Sequence, residues 1–256
     1  MIDSSRNSVN SPLMRKLAQC IELDSAARMR LQEFEAAVKP LPPGADLIKE
    51  NSPYEQAGVV VEGWCLKYKL LDDGRRQVIN FVLPGGFIGL HANVFEIADH
   101  SVSTLTACQV SRFDPQQITK TFSELPRLAA AIVWDHAREE AVLMERLASL
   151  GRRSAYERFA HLLVELTVLL SRRSEELPRK VVLPITQAVI ADTLGLSPVH
   201  VSRTIQRLRR DGLIEDGRQR GIALCDLAGL MRVCGFDETY LHQDALPKQT
   251  QRRIGA

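Results

Sequence analysis

The segment 186–214 places the tightest constraint on what this chain can fold into, because it carries start and stop signals for two short helices. Thr186 is a favourable N-cap for a first helix, and Gly195 permits the sharp turn that follows it. Ser197 and Pro198 then supply an N-cap and a first helical residue for the second helix. The pattern predicts two helices joined by a turn of three to four residues.

The second of these helices is predicted to have one apolar face and one polar, basic face. Val201, Ile205 and Leu208 recur at helical spacing, so this face is expected to be buried. We predict that the opposite face and the start of the first helix contact DNA. The predicted contacts are Thr186, Gln187, Ser197, Pro198, Val199, His200, Ser202, Arg203, Gln206 and Arg207.

Two short strands around a glycine-containing turn are predicted over residues 213–224. The turn holds Arg218 and Arg220, a pattern typical of the wing of a winged helix, where arginines contact phosphates. Charge supports an anionic partner, since residues 152–220 hold 13 Lys and Arg against 8 Asp and Glu. The alternative is an ordinary helical hairpin with a solvated charged face.

The N-terminal half has a different pattern. Residues 1–38 predict a helical arm with a second short helix from Ser25 to about Val38, and the Pro- and Gly-rich stretch that follows ends it. Beyond it, turns at 72–74 and 84–86 separate predicted strands at 59–71 and 77–83, with one or two more in 101–113. Short strands separated by turns favour an antiparallel barrel or jelly roll.

A single long helix is predicted over residues 126–150 and is expected to end at Gly151. At 1.5 Å per residue it is about 37 Å long, more than a small barrel covers. Charged residues occupy one side, and the other side carries an apolar stripe that predicts a homodimer; the alternative is packing within the monomer. The stripe consists of Ala130, Val133, Ala137, Ala141, Met144 and Leu147.

Taken in order, these segments resemble the CRP/FNR superfamily of bacterial transcription regulators. The resemblance rests on residues 62–77, on Pro-Gly-Gly-Phe-Ile-Gly at 84–89, and on the helix-turn-helix sequence 186–203. It implies an α+β fold with a cyclic-nucleotide-binding-like β-roll, a long dimerisation helix and a C-terminal winged helix-turn-helix. It also implies a cytoplasmic homodimer that reads palindromic double-stranded DNA, with RNA polymerase as a further partner.

The resemblance implies five segments. They are an N-terminal helical arm (1–38), a β-roll sensor domain (39–124), a dimerisation helix (125–151), a winged helix-turn-helix domain (152–240) and a tail (241–256). In the recognition helix, Ser202 and Arg203 occupy the places of the oxygen-sensing branch, but Val199 replaces a Glu that reads the complementary strand. The operator sequence therefore cannot be copied from the family.

The sensor domain also departs from the family. Gly89 is followed by Leu90 where the cyclic-nucleotide cassette has a Glu for the ribose, and residues 99–101, Asp-His-Ser, stand in the region of the Arg-Ser pair for the cyclic phosphate. An apolar side chain cannot accept the ribose hydroxyl, and Asp99 would repel a phosphate. We therefore expect no cyclic nucleotide in the usual mode, and the cofactor is unknown. The candidate effector pocket is Gly89, Leu90, His91, His100 and Ser101.

Individual residues bear on three other chemistries: haem binding, an iron–sulfur cluster and cysteine oxidation. His91 resembles the haem-ligand position of the carbon-monoxide-sensing branch, so haem is an alternative. An iron–sulfur cluster needs several N-terminal cysteines, and only Cys20 is present there. Cys65 and Cys108 are expected to be buried and inert, with a redox switch as the alternative.

Enzymatic and membrane functions are not expected. The spacings His136-x-x-Glu139 and His161-x-x-x-Glu165 lack a second ligand pair, so neither a metal site nor a catalytic residue is predicted. No apolar stretch reaches the ~18 residues of a membrane helix. Five scattered cysteines suit reduced thiols in a cytoplasm. The alternative function is a ligand-binding β-roll module, for haem or a cyclic nucleotide, that acts through protein–protein contacts.

Overall fold

The computed structural model describes residues 11–171, 181–217, 221–242, 245–247 and 249–250. The helices are α1 (Pro12–Ala18), α2 (Ser25–Phe34), α3 (Gln116–Glu124), α4 (Pro126–Arg152), α5 (Ala155–Ser171), α6 (Gln187–Leu194), α7 (Pro198–Arg210) and α8 (Leu227–Cys234). The strands are β1 (Val38–Leu41), β2 (Asp46–Ile48), β3 (Ala57–Glu62), β4 (Cys65–Leu70), β5 (Arg76–Val82), β6 (Phe87–Ile88), β7 (Ser101–Thr104), β8 (Cys108–Phe113), β9 (Val182–Leu183), β10 (Ile214–Asp216) and β11 (Ile222–Leu224). Short 3₁₀ turns lie at Leu90–Asn93 and Glu238–Leu241. Among the described residues, no helix is long and apolar enough to cross a membrane.

The described chain separates into two compact units. The first takes in the described parts of Met1–Lys69, Asn80–Glu140 and His242–Ala256. The second takes in those of Leu70–Ile79 and Ala141–Leu241. Helix α4 thus passes from one unit to the other after Glu140, and the tip of the β4–β5 hairpin groups with the second unit.

The first unit is a β-roll made of two four-stranded sheets, which confirms the predicted α+β fold class. One sheet has the strand order β1-β8-β3-β6 and the other β2-β7-β4-β5. Strand β8 pairs antiparallel with β3, placing Val59 opposite Ser111. Strand β7 pairs antiparallel with β4, placing Ser103 opposite Leu66.

The predicted N-terminal arm is part of the core of this unit rather than a separate extension. Leu17 and Phe34 are fully buried, and the Phe34 ring stacks on Phe113 with centroids 4.5 Å apart. The prediction that the second helix continues to about Val38 is wrong, because α2 ends at Phe34. Val38 instead begins β1, where pairing with Ser111 satisfies the extended backbone.

The predicted single strand at 59–71 is also wrong, because the chain changes sheets within it. Gly63 has φ +82°, and a Cβ there would collide with the carbonyl oxygen of Ala107. Glycine therefore permits the close backbone approach at which the chain leaves β3 and enters β4. The turns at Gly74 and at 84–86 lie where they were predicted.

Helix α4 begins at Pro126 as predicted, but it runs through Gly151 and ends at Arg152. The stronger boundary signal is a capping box that starts α5. The backbone N–H of Glu157 donates to the Ser154 hydroxyl, and the Glu157 carboxylate accepts from the Ser154 N–H at 2.8 Å. The cap satisfies backbone N–H groups at the start of α5 that would otherwise lack an acceptor. It therefore sets the boundary between α4 and α5 more firmly than the glycine does.

The second unit packs α6, α7 and α8 against α5 and adds a three-stranded sheet with the order β10-β11-β9. Phe159, Leu163 and Leu166 of α5 are fully buried. At the hairpin tip, the Arg76 guanidinium pairs with Asp192 of α6 at 2.7 Å. The loop predicted at 171–180 lies outside the described residues apart from Ser171, which ends α5.

Candidate DNA-binding site

The turn between α6 and α7 is built from local caps, as the sequence predicts. The Thr186 hydroxyl accepts from the N–H of Val189, and α6 ends at Leu194 with Gly195 as its C-cap at φ +62°. The Ser197 hydroxyl accepts from the N–H of His200, and Pro198 is the first residue of α7. The predicted helix-turn-helix is confirmed in its bounds and in its caps.

Helix α7 buries one face and exposes the other. Val201, Ile205 and Leu208 are at most 1% exposed, as predicted. Eight of the predicted contact residues are exposed: Gln187, Ser197, Pro198, Val199, His200, Arg203, Gln206 and Arg207. Thr186 and Ser202 are half-buried, and Val199 places an apolar side chain, 60% exposed, near the start of the helix.

The arginines of α7 differ in the groups that their guanidinium groups contact. The Arg207 guanidinium lies 4.1 Å from the ring centroid of Tyr156, a cation–π contact across the second unit. Arg209 pairs with Asp216 of β10. Arg203 is exposed and makes no side-chain hydrogen bond or ion pair within the described part of the chain, so its guanidinium is available to an external acceptor. Sequence reasoning missed Tyr156 because no local pattern marks it.

The predicted wing is formed by β10 and β11, which pair antiparallel with Ile214 opposite Leu224. The backbone N–H of Gly217 donates to the Gly221 carbonyl at 2.9 Å and closes the base of the turn. Arg218 and Arg220 lie outside the described residues, so their role as phosphate contacts stays a prediction.

The apolar stripe of α4 faces away from the chain's own core. Val133 is 52%, Met144 59% and Leu147 68% exposed; Ala137 is exposed, and Ala130 and Ala141 are half-buried. The stripe therefore has the exposure that a dimerisation surface needs, with large apolar side chains left in contact with solvent.

Charged residues of α4 are buried beside its inward-facing apolar side chains Leu128, Ile132 and Val142. In the first unit, Asp135 is 4% exposed and accepts from the Lys16 ammonium at 2.5 Å. In the second unit, Glu165 of α5 is 0% exposed and accepts from Arg146 Nε and Nη2 at 2.9 and 2.6 Å. Each of these two buried carboxylates has a cationic partner, which offsets the free-energy cost of removing the charge from water.

The candidate effector pocket is a small cleft in the first unit, between the 3₁₀ turn and the first half of α4. It is lined by Lys67, Phe87, Gly89, Leu90, His91, His100, Asp135, His136 and Glu139. Its volume is about 20 Å³, space for about one water. Ser101 does not line it: this buried hydroxyl accepts from the N–H of Glu50 at 3.0 Å, so its place in the predicted pocket is wrong.

The polar groups of the cleft engage one another. His91 and His136 bring their Nε2 atoms to 3.2 Å, and burial lowers the pKa of His91 below its ordinary value. The Lys67 ammonium lies 2.7 Å from Glu139; burial alone would raise the pKa of Glu139, but Lys67 and Lys16 lower it to about 2. A cleft this small, with neutralised charges, does not accommodate a haem or a nucleotide in the conformation observed. No group of three metal-ligating side chains occurs among the described residues.

A two-sheet roll, a long helix with an exposed apolar stripe and a winged helix-turn-helix define a class of DNA-binding regulators. Residues 157–233 match the Crp-like helix-turn-helix domain family, and residues 38–124 match the cyclic nucleotide-binding domain family. The chain belongs to the CRP/FNR family of transcription regulators, and it is a DNA-binding regulator with a sensing domain of the cyclic-nucleotide-binding fold.

Individual relatives agree with this assignment. The transcriptional activatory protein AadR of Rhodopseudomonas palustris is 34% identical over 202 residues, covering 78% of this chain and 82% of AadR. The nitrogen fixation regulation protein FixK of Bradyrhizobium diazoefficiens is 33% identical over 219 residues, covering 84% and 89%. The structure of FixK2 from Bradyrhizobium japonicum superposes with a TM-score of 0.68 at 26% identity, covering 82% of this chain and 98% of FixK2.

Proposed function

We propose that this chain acts as a cytoplasmic homodimer on palindromic operators, with α7 in the major groove of each half-site. The observation that carries the proposal is Arg203, which is exposed and has no side-chain partner among the described residues, on a helix that Ser197 caps and that Val201, Ile205 and Leu208 anchor. A guanidinium in this position can donate two hydrogen bonds to the O6 and N7 of a guanine.

The other contacts follow from their places on the two helices. Gln187, Ser197, Pro198, Val199, His200, Ser202 and Gln206 would lie along the groove, and Thr186 would hold the first helix over the backbone. Arg207 would contact DNA either with its guanidinium still on the Tyr156 ring or after it has moved off the ring. Arg218 and Arg220 would contact phosphates on either side of the groove.

Dimerisation would use the six stripe residues of α4. Pairing two stripes removes exposed apolar surface from solvent on both subunits, and it sets two copies of α7 at the fixed spacing that a palindrome requires. The chain would divide into an arm (1–38), a sensor domain (39–124), a dimerisation helix (125–151), a DNA-binding domain (152–240) and a tail (241–256). RNA polymerase is the proposed protein partner.

The sensor would respond to something other than a cyclic nucleotide bound in the usual mode. Leu90 follows Gly89 and offers no acceptor to a ribose, while Asp99 stands near the place of the phosphate-binding pair. Gly89, Leu90, His91 and His100 remain the proposed effector contacts, and the effector itself stays unassigned.

The test is selection of DNA sites from a random pool with the full chain, followed by binding to the selected site and to a scrambled duplex. We expect a palindromic consensus and at least a 1,000-fold preference for it, on the order of specific regulators. Equal affinity for both duplexes, in the presence and absence of cell extract as a source of effector, would overturn the proposal.

A further inference from the structure

Two cysteines face each other inside the β-roll. Cys65 lies on β4 and Cys108 on β8, strands of the two different sheets, and both belong to the apolar core between them. Their Sγ atoms are 3.9 Å apart, and both side chains are buried. A disulfide needs about 2.05 Å between the sulfurs, so each sulfur would move by roughly 1 Å.

The two thiols differ in access. Cys108 borders a surface groove of about 480 Å³ that is otherwise lined by Pro40, Leu41, Pro42, Glu62, Ala107 and Gln109. Cys65 is 0% exposed and does not line the groove. A small oxidant in the groove therefore reaches Cys108 first, because the sulfur of Cys65 lies deeper in the core.

The two thiols also differ in how readily they ionise. The hydrogen-bond contact between the two sulfurs lowers the pKa of Cys108 to about 7. The same contact, together with burial, raises the pKa of Cys65. Cys108 is thus the thiol of the pair that ionises first, and the thiolate is the form that reacts with oxidants.

We propose that Cys108 and Cys65 form a site of reversible oxidation by small hydroperoxides, closed by an intramolecular disulfide. The Cys108 thiolate attacks one oxygen of the peroxide; the S–O bond forms, the O–O bond breaks and hydroxide or alkoxide leaves, giving a sulfenic acid. Cys65 then loses its proton and its sulfur attacks that of Cys108; the S–S bond forms, the S–O bond breaks and the hydroxide leaves as water. Two thiols lose two electrons to one peroxide, and a dithiol reductant restores them.

Closure of this disulfide would tie the two sheets of the roll together at one point. It would also alter the surroundings of Trp64, whose backbone carbonyl lies 3.2 Å from the Cys108 sulfur and whose ring packs edge-on to Phe81. The indole is 6% exposed, so its fluorescence reports on this site from inside the core. The proposal does not depend on which DNA sequence the protein reads.

The experiment treats the reduced full chain with one equivalent of hydrogen peroxide, blocks the remaining thiols and maps the peptides by mass spectrometry. The chain has five cysteines, so titratable thiols are expected to fall by two. The linked peptide should contain Cys65 and Cys108, and dithiothreitol should reverse both changes. In a Trp134→Phe variant, in which Trp64 is the remaining tryptophan, fluorescence should change with the same time course. Oxidation of the exposed Cys225 alone, or a different linked pair, would overturn the proposal.

Three variants make the test specific. Cys65→Ser keeps a hydrogen-bond donor beside Cys108 but cannot form the disulfide, so it should stop at the sulfenic acid and give a dimedone adduct on Cys108. Cys108→Ala should lose both products, and the matched control Cys225→Ser should behave as the natural chain does. A dimedone adduct on Cys65 in the natural chain would contradict the assigned order of the two thiols. The measurement on the natural chain stands even if a core variant fails to fold.

Discussion

Replacing Arg203 by Ala tests the assignment of this residue as the base reader. The side chain is exposed and has no partner within the described residues, so the variant should fold and dimerise as the natural chain does. One bidentate contact between a guanidinium and a guanine is worth about 1–3 kcal/mol. A palindrome bound by a dimer contains two such contacts, so the loss on the full operator is about 2–6 kcal/mol, at least about 30-fold in Kd.

The assay is fluorescence anisotropy on the selected operator, on operators with each base pair changed in turn, and on scrambled DNA. For Arg203→Ala we expect the affinity for scrambled DNA to change little and discrimination to relax at one base pair of each half-site. Measuring Kd over a series of salt concentrations distinguishes the loss of a base contact from the loss of a phosphate contact. The matched control is Arg218→Ala in the wing, which should weaken all DNA about equally and lower the salt slope by about two per dimer.

The result that would refute the reasoning is a loss of equal size on operator and scrambled DNA for Arg203→Ala. The residue would then contact the backbone, and the specificity of α7 would have to come from other side chains on its exposed face, such as His200 or Gln206. A loss confined to the operator but spread over every base pair would also contradict a single guanine contact.

Three further predictions concern the second unit and the stripe. Met144→Glu puts a charge on the exposed stripe and should give monomers with weak operator binding; a dimer in sedimentation velocity at micromolar concentration would contradict this. Glu165→Gln removes the buried negative charge that faces the Arg146 guanidinium and should lower the free energy of unfolding by about 3–5 kcal/mol in urea titrations; a change below 1 kcal/mol would show that the ion pair is dispensable. Burial, with Arg153 and Arg146 nearby, lowers the pKa of His161 to about 4, below its value of about 6.5 in the unfolded chain. Stability from this histidine is therefore full above pH 6.5 and is lost as pH falls, by about 2 kcal/mol between pH 7 and 5. His161→Phe should remove that part of the pH dependence, and an unchanged profile would contradict the assignment.

The sequence alone determined those parts of the protein that are set by neighbours in the chain. The caps at Thr186 and Ser197, the turn at Gly195 and the buried face of α7 all lie where the pattern predicts them. An N-cap satisfies backbone donors within three residues, so its effect is visible in a short stretch of sequence. The same holds for β10 and β11, which lie close together in the sequence and pair with each other.

Tertiary structure decided which partner each charged or reactive group meets. Periodicity shows that α4 has two faces, but only the fold shows that charged residues such as Asp135 are buried, because Lys16 reaches Asp135 across 119 positions of sequence. Arg207 lies on the ring of Tyr156, a contact that no local sequence pattern marks. Cys65 and Cys108 are 43 positions apart and meet only because their strands face each other across the roll. Electrostatic pairing and thiol contact depend on distance in space, and a sequence pattern records only distance along the chain.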